Sequence, residues 1–458
     1  MKEETYEEVL DNVRTASKPS ELKITDMRVA DIIGAPMPCC ILKLYTNQGL
    51  VGYGEVRDFA SRNYALSLKS RIVGENPCNI DKIFRRIKQF GGQARQAGGV
   101  CGIELALWDL AGKAYEIPVY QMLGGRFRDK VRVYADTDVA GKHTGKDMGK
   151  ALKKRMDLGF TFLKMDVGIE LLFDEPGAVC APTGVVEELK KAGADYDSKR
   201  RNISPEEWTR RNHAYDTMNV PHPFTGLQIT EHGLDILENY VKDVRETIGY
   251  EVPLAIDHFG HFQLESCIRF AKRMEKYSIA WLEDLVPWQY TDQYMRLSAA
   301  TSVPVATGED IYLKENFKPL LEHRAVSVIH PDILSAGGIL ELKKISDLAE
   351  EHGVAMAIHM AETPVAAMAA AQVATASENF LAQEFHSVDV PWWNDMVKKG
   401  IKTPLIDHGF IHVNDAPGLG IEELDDEVLK EHVHPDYPEL WADTSIWDHE
   451  YSHDRLWS

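Results

Sequence analysis

Asp257, Glu283 and Glu309 stand 26 residues apart. Each closes an apolar, strand-like run: Val252-Pro-Leu-Ala-Ile-Asp257, Ser278-Ile-Ala-Trp-Leu-Glu283 and Val303-Pro-Val-Ala-Thr-Gly-Glu309. That interval is about the length of one strand-plus-helix unit in a parallel barrel. In such barrels the C-terminal ends of the strands converge on one site, so the three acids are placed to meet around one hard divalent cation. An acidic chain carries many unrelated surface acids; the shared context of these three sets them apart. The rhythm then continues to Asp332, His359 and Glu384, at intervals of 23, 27 and 25 residues.

At 458 residues the chain exceeds a minimal barrel of about 250 residues, leaving room for a second domain and an insertion. A formal net charge of −20 argues against nucleic acid or an anionic membrane as a partner. The opening residues, Met1-Lys-Glu-Glu-Thr-Tyr-Glu-Glu, lack the basic-then-apolar order of a secretory signal, and no apolar run is long enough to span a bilayer. Six cysteines (39, 40, 78, 101, 180 and 267) form no Cys-x-x-Cys pair and suit a reducing compartment. The expectation is a cytoplasmic enzyme acting on a small molecule.

Alternating residues from Leu22 to Glu55, broken at Gly34-Ala-Pro36 and Asn47-Gln-Gly49, predict a small antiparallel sheet, followed by helices up to Ala114. Residues 1–130 therefore read as an α+β capping domain, completed by a C-terminal segment from about 405 to 458. Residues 131–404 read as an α/β fold, a modified TIM barrel of (β/α)7β type, with first strands at 131–135 and 161–167. The rhythm fails between Gly168 and about Leu234, where Asp174-Glu-Pro176 and Pro221-His-Pro-Phe-Thr225 mark an insertion on the active-site side. The tail from Pro404 is rich in tryptophan (Trp441, Trp447, Trp457), which predicts packing on the first domain or on a neighbouring subunit, and so a homo-oligomer.

Residues two apart on a strand share a face. Lys164 and Asp166 then both point into the barrel mouth, as do His330 with Asp332 and Ala357 with His359. Burying so many ionisable groups without metal or mutual pairing would cost several kcal/mol each, about the penalty of an unpaired buried charge. An all-carboxylate set suits Mg²⁺, one per subunit, better than Zn²⁺. Such a cation, chelating a substrate carboxylate, stabilises the enediolate formed when the α-proton leaves. His359 is the natural base, with Asp332 bonded to one ring nitrogen. Glu384, if protonated, hydrogen-bonds the enediolate.

The chain resembles the enolase superfamily, in its mandelate racemase and acid-sugar dehydratase branch, whose Lys or His bases work with Mg²⁺. The resemblance is carried in order by Gly52-Tyr-Gly-Glu55, Ala106-Leu-Trp-Asp109, Pro118-Val-Tyr120, Leu163-Lys-Met-Asp166, Trp281-Leu-Glu-Asp284, Thr307-Gly-Glu309, Ala336-Gly-Gly338 and Pro417-Gly-Leu-Gly420. It implies Asp257, Glu283 and Glu309 as metal ligands, Asp332–His359 as a dyad, Glu384 as the acid on the last strand, and two capping loops near 31–38 and 57–63. The terminal Asp454-Arg-Leu-Trp457 and the insertion are most similar to mannonate and galactonate dehydratases.

Two departures direct the reading. Racemases of this branch carry Lys-x-Lys on the second strand, whereas here the second position is Asp166, which disfavours two-base racemisation. Lys164 either neutralises the substrate carboxylate or pairs with Asp166. Galactonate dehydratases place a histidine two residues beyond the first ligand, where this chain has Phe259 within Asp257-His-Phe-Gly-His261. The acid that expels hydroxide is then His258, His261 or His359 itself, with His261 preferred because a turn at Gly260 swings it over the metal. The expected activity is Mg²⁺-dependent dehydration of an aldonate-type sugar acid to a 2-keto-3-deoxy acid. A sugar-acid epimerase or cycloisomerase, or a weakly catalytic sugar-acid-binding relative, are the alternatives.

Overall fold

The computed structural model describes residues 18–172, 174–181, 227–257 and 262–450. His258, Phe259, Gly260, His261, the 182–226 stretch and the Asp454–Trp457 motif lie outside the described residues.

Strands β1 (Ile24–Ile32), β2 (Cys39–Thr46) and β3 (Val51–Val56) form an antiparallel sheet in that order. The turn between β2 and β3 places Gly49 at φ +80°, a conformation that favours glycine. Against the sheet lies α1 (Gly98–Tyr115), buried over all but Lys113 and Tyr115. A helix apolar on every side has to be enclosed. Glycine permits the close approach: a Cβ on Gly54 would stand 1.9 Å from the carbonyl oxygen of Gly102.

Eight strands follow: β4 (Lys130–Ala135), β5 (Leu163–Asp166), β6 (Leu254–Asp257), β7 (Ile279–Glu283), β8 (Val305–Thr307), β9 (Val328–Ile329), β10 (Ala355–Ile358) and β11 (Phe380–Phe385). Each pairs with the next and β11 pairs with β4, which closes a parallel barrel. Helices α2 (Gly145–Asp157), α3 (Glu231–Ile248), α4 (Leu264–Met274), α5 (Thr291–Ala300), α6 (Lys314–Glu322), α7 (Ile339–Glu351) and α8 (Pro364–Thr375) connect successive strands. Among the described residues no such helix follows β11, the expected (β/α)7β arrangement. The strands are buried along most of their length, as parallel strands covered on both faces must be.

Beyond β5 a short antiparallel pairing precedes α3. Val179–Cys180 pairs antiparallel with Gln228–Ile229. The Thr230 hydroxyl donates to the Gly177 carbonyl at 2.7 Å, and the Thr230 amide to that of Ala178 at 3.0 Å. Thr230 also caps α3, its side chain accepting the Gly233 amide. The helix begins at Glu231. Its first turn, Glu231-His-Gly, is polar and hides the helical period.

Two compact units divide the chain: Met1–Val133 with Gly308–Lys318 and Ile329–Ser458, and Tyr134–Thr307 with Pro319–Val328. In the first, the C-terminal segment packs on the cap. Thr444 Oγ1 accepts from Lys69 Nζ at 2.9 Å, and the Trp441 ring lies under Lys43 Nζ at 3.9 Å. In the second, Tyr134, Phe162 and Trp281 form an aromatic cluster with centroids 4.9–5.7 Å apart.

The N-terminus of α7 has no side-chain cap of its own, and Glu104 of α1 supplies one. Its carboxylate accepts the amides of Ile339 at 2.7 Å and Leu340 at 3.0 Å, and the Trp108 indole at 2.6 Å. These amides would otherwise be buried without acceptors. Glu104→Ala is therefore expected to lower stability by about 2–4 kcal/mol, a cap plus its stranded donors, measured by urea unfolding.

Candidate active site

Acidic and basic residues occupy the strand ends in both units. In the unit Tyr134–Thr307, Lys164 of β5 is 1% exposed. Its Nζ lies 2.9 Å from Asp257 Oδ2 at the end of β6 and 3.1 Å from Glu283 Oε1 at the end of β7. The other Glu283 oxygen accepts the Trp281 indole N–H at 2.7 Å, fixing the carboxylate plane. Two carboxylate oxygens therefore converge on one positive charge. Burial pushes Asp257 up to about 7, with Lys164 pulling it down and Glu283 pushing it further up. Burial, with Asp136 and Asp257 nearby, raises Asp166 well above the usual value for a carboxyl group, and Lys164 pulls it down. The bonds of Lys164 to Asp257 and Glu283 give it partners beyond the substrate and Asp166 weighed from the sequence.

In the other unit, His359 follows β10 and Asp332 lies beyond β9, and the two meet in an isolated parallel bridge. His359 Nδ1 is 2.6 Å from Asp332 Oδ2. The other Asp332 oxygen accepts the amides of Leu334 at 2.6 Å and Ser335 at 3.1 Å. His359 Nε2 faces Glu309 Oε2 at 3.0 Å and Glu384 Oε2 at 3.8 Å. Burial first, and then the Arg57 guanidinium, hold the imidazole well below its usual range. Asp332 is raised by burial to about 6 and restrained by Arg57. A neutral imidazole donating Nδ1–H to a carboxylate keeps a lone pair on Nε2, which is the condition of a general base.

Glu384 ends this group, with His330 Nε2 at 3.6 Å and His386 Nε2 at 3.3 Å. The ligand atoms of His359, Glu384 and His386 lie within 4.8 Å of one another. A mixed imidazole–carboxylate set suits zinc, whereas the oxygen set of Asp257 and Glu283 suits a hard cation.

His386, Arg57, Asp58 and Glu362 were not among the candidates read from the sequence. His386 had a usable signal, since it lies two residues past Glu384. Glu55 explains how Arg57 comes to be placed. Its carboxylate accepts the Thr363 hydroxyl at 2.6 Å and the amides of Thr363 and Ala366, each at 3.1 Å, at the N-terminus of α8. Arg57 lies two residues further along the same edge of the cap sheet. His258 and His261, the other candidate acids, lie outside the described residues.

Comparison with known proteins supports a common origin along most of the chain. Residues 9–124 match the mandelate racemase / muconate lactonizing enzyme N-terminal domain, and residues 147–428 match the enolase C-terminal domain-like family. The D-xylonate dehydratase of Haloferax volcanii is 31% identical over 435 residues, covering 93% of this chain and 92% of that protein. The D-galactonate dehydratase of Pectobacterium atrosepticum is 26% identical, covering 89% and 93%. A solved mandelate racemase/muconate lactonizing enzyme-like protein from Rubrobacter xylanophilus superposes with a TM-score of 0.73 at 30% identity, over 90% of this chain and 98% of that one.

Glu55 is raised by burial from 4.5 to about 7. The folded chain thus holds a proton that the unfolded chain releases above about pH 4.5. The associated stability is intact below that pH, declines as pH rises to about 7, and then levels, a loss of up to about 3 kcal/mol. Urea unfolding at pH 5 and pH 8 should show a smaller loss between the two for Glu55→Gln than for the parent chain.

Proposed function

The chain belongs to the mandelate racemase / muconate lactonizing enzyme family, and on that premise we propose that it is a hydro-lyase dehydrating a sugar acid to a 2-keto-3-deoxy acid. The observation that carries the reading is the Asp332–His359 pair, an imidazole held at Nδ1 with Nε2 directed at acidic side chains. Relatives named for D-xylonate and D-galactonate dehydration support an aldonate as the substrate class.

The residues fit Mg²⁺. Asp257 and Glu283 converge on one cationic group, their oxygens are hard donors, and a cation would offset the burial, and with it the Glu283 repulsion, that raise Asp257. Asp257, Glu283 and Glu309 would hold it. When bound, it supplies a Lewis acid that withdraws charge from the substrate carboxylate.

His359 removes the α-proton at Nε2, while Asp332 holds Nδ1–H and stabilises the imidazolium that forms. Lys164, with its charge on Nζ, faces the developing negative charge, and Glu384 hydrogen-bonds the enediolate from the last strand. Loss of the β-hydroxyl requires one proton, for which His258, His261 and His359 are the candidates and His386 a fourth. The resulting enol tautomerises to the ketone. Among the described residues no helix is long and apolar enough to cross a membrane. A cytoplasmic homo-oligomer, inferred from the cysteine usage and the tryptophan-rich tail, completes the proposal.

Incubation with Mg²⁺ and a panel of pentonates and hexonates, assayed for 2-keto acids, tests the reading. At least one substrate should turn over, and EDTA should abolish the activity. Absence of product from every member, beside a working dehydratase control, would overturn it. In D₂O, α-deuterium exchange without loss of water would instead indicate epimerisation. His359→Asn is expected to lower both exchange and product formation by about 10³-fold or more, while binding of the sugar acid persists.

A further inference from the structure

Arg57 is 1% exposed and gathers three carboxyl groups at a single nitrogen. Nη1 lies 2.8 Å from Asp332 Oδ2, 2.7 Å from Glu362 Oε1 and 2.9 Å from Asp58 Oδ1. It is also 3.1 Å from His359 Nδ1. A guanidinium nitrogen of this kind carries two hydrogens and no acceptor. The bonds to Asp332 and Glu362 are the shortest and use both hydrogens. His359 Nδ1 lies closer to Asp332 Oδ2, at 2.6 Å, than to Arg57 Nη1, at 3.1 Å, so the carboxylate is its main partner and Nδ1 donates to it. Had Arg57 donated to Nδ1 instead, the ring would carry its hydrogen on Nε2 and have no lone pair there to accept a proton.

Asp332 is thereby held on both oxygens, Oδ1 by the backbone amides of Leu334 and Ser335, Oδ2 by Arg57 and His359. The remaining contacts fix Arg57 itself. Glu362 Oε2 accepts the Ala361 amide at 2.8 Å, and Asp58 Oδ2 accepts from Arg95 at 3.1 Å. Two rigidly held carboxyl groups thus set the guanidinium, the guanidinium sets Asp332, and Asp332 sets the ring. An arginine needed only to tie a loop down would find one carboxylate sufficient; this one shares a nitrogen between a structural partner, Glu362, and the orienting member of the dyad.

We propose that Arg57 is a positioning residue of the Asp332–His359 dyad, pinning Asp332 Oδ2 so that His359 is locked with hydrogen on Nδ1 and a lone pair on Nε2. The inference rests on His359 acting as the base, and it adds a residue of the capping segment to the machinery of proton abstraction.

Two measurements separate this proposal from the activity on which it rests. Long-range ¹H–¹⁵N spectra of histidine-labelled, Mg²⁺-loaded protein report the tautomer of His359, assigned with His359→Asn. The parent chain should show hydrogen on Nδ1. Arg57→Met should show a mixture of tautomers or hydrogen on Nε2, as should Asp332→Asn, and Arg57→Lys should lie between. With a sugar acid that the parent turns over, Arg57→Met should lower kcat about 10–100-fold with KM changed less than about threefold, and lysine should recover part of the loss. An unchanged tautomer in Arg57→Met, or kcat and KM moving together with a collapse of thermal stability, would overturn the proposal. Should Arg57→Met not fold, Arg57→Lys decides by the same spectra. Should the parent turn over no sugar acid, the proposed function fails, while the tautomer comparison still decides the role of Arg57.

Discussion

A carboxylate taken out of water must be given donors or a cation, or it keeps its proton. This chain faces that requirement many times, and its answers fall into two kinds. Glu55 and Glu104 receive amide hydrogens at the starts of α8 and α7, and Asp109 receives the amides of Tyr53 and Leu419 at 2.9 Å each. These acids serve as caps and ties. At the strand ends the partners are other titratable or charged side chains: Lys164 for Asp257 and Glu283, Arg57 and His359 for Asp332. An acid satisfied by amides is held in one place, whereas an acid satisfied by another ionisable group can also exchange charge with its partner. The second kind is what a proton-transfer reaction needs.

The two kinds are joined along one strand. Glu55 anchors the end of β3 to the first turn of α8, and Arg57, two residues on, reaches Asp332. Alternation along an extended backbone directs both side chains the same way. The register that attaches the cap sheet to a helix is therefore the register that delivers a guanidinium to the dyad. Glycines in β3 and α1, where the helix backbone meets the sheet directly, leave that register little freedom to slide.

Features that repeat locally were legible in the sequence. The 26-residue interval and the acids closing apolar runs describe a single strand or module, and Asp257 and Glu283 do end β6 and β7. Features that depend on distant partners were not. Arg57 could be read only as one end of a loop, because its partners Asp332 and Glu362 lie 275 and 305 residues away. Alternation put Lys164 and Asp166 on one face but did not give the reach of Lys164 to Asp257 and Glu283 on two further strands. The start of α3 carries little signal for the opposite reason, since its capping Thr230 and polar first turn have no hydrophobic period. Identification of the proton donor depended on the segment just after Asp257, whose four residues lie outside those described.

The short pairing of Val179–Cys180 with Gln228–Ile229 also bears on how a family of this kind diversifies. It brings the two ends of the long excursion together before the chain enters α3, with the Thr230 hydroxyl on the Gly177 carbonyl as a clasp. Closing a loop costs an entropy that grows only with the logarithm of its length, so once the ends are fastened the number of residues between them matters little to the barrel. Evolution, or a designer, can lengthen, shorten or exchange the stretch between the clasped ends while the strands carrying the chemistry stay in register. Recognition of new substrates can then be tried without rebuilding the catalyst.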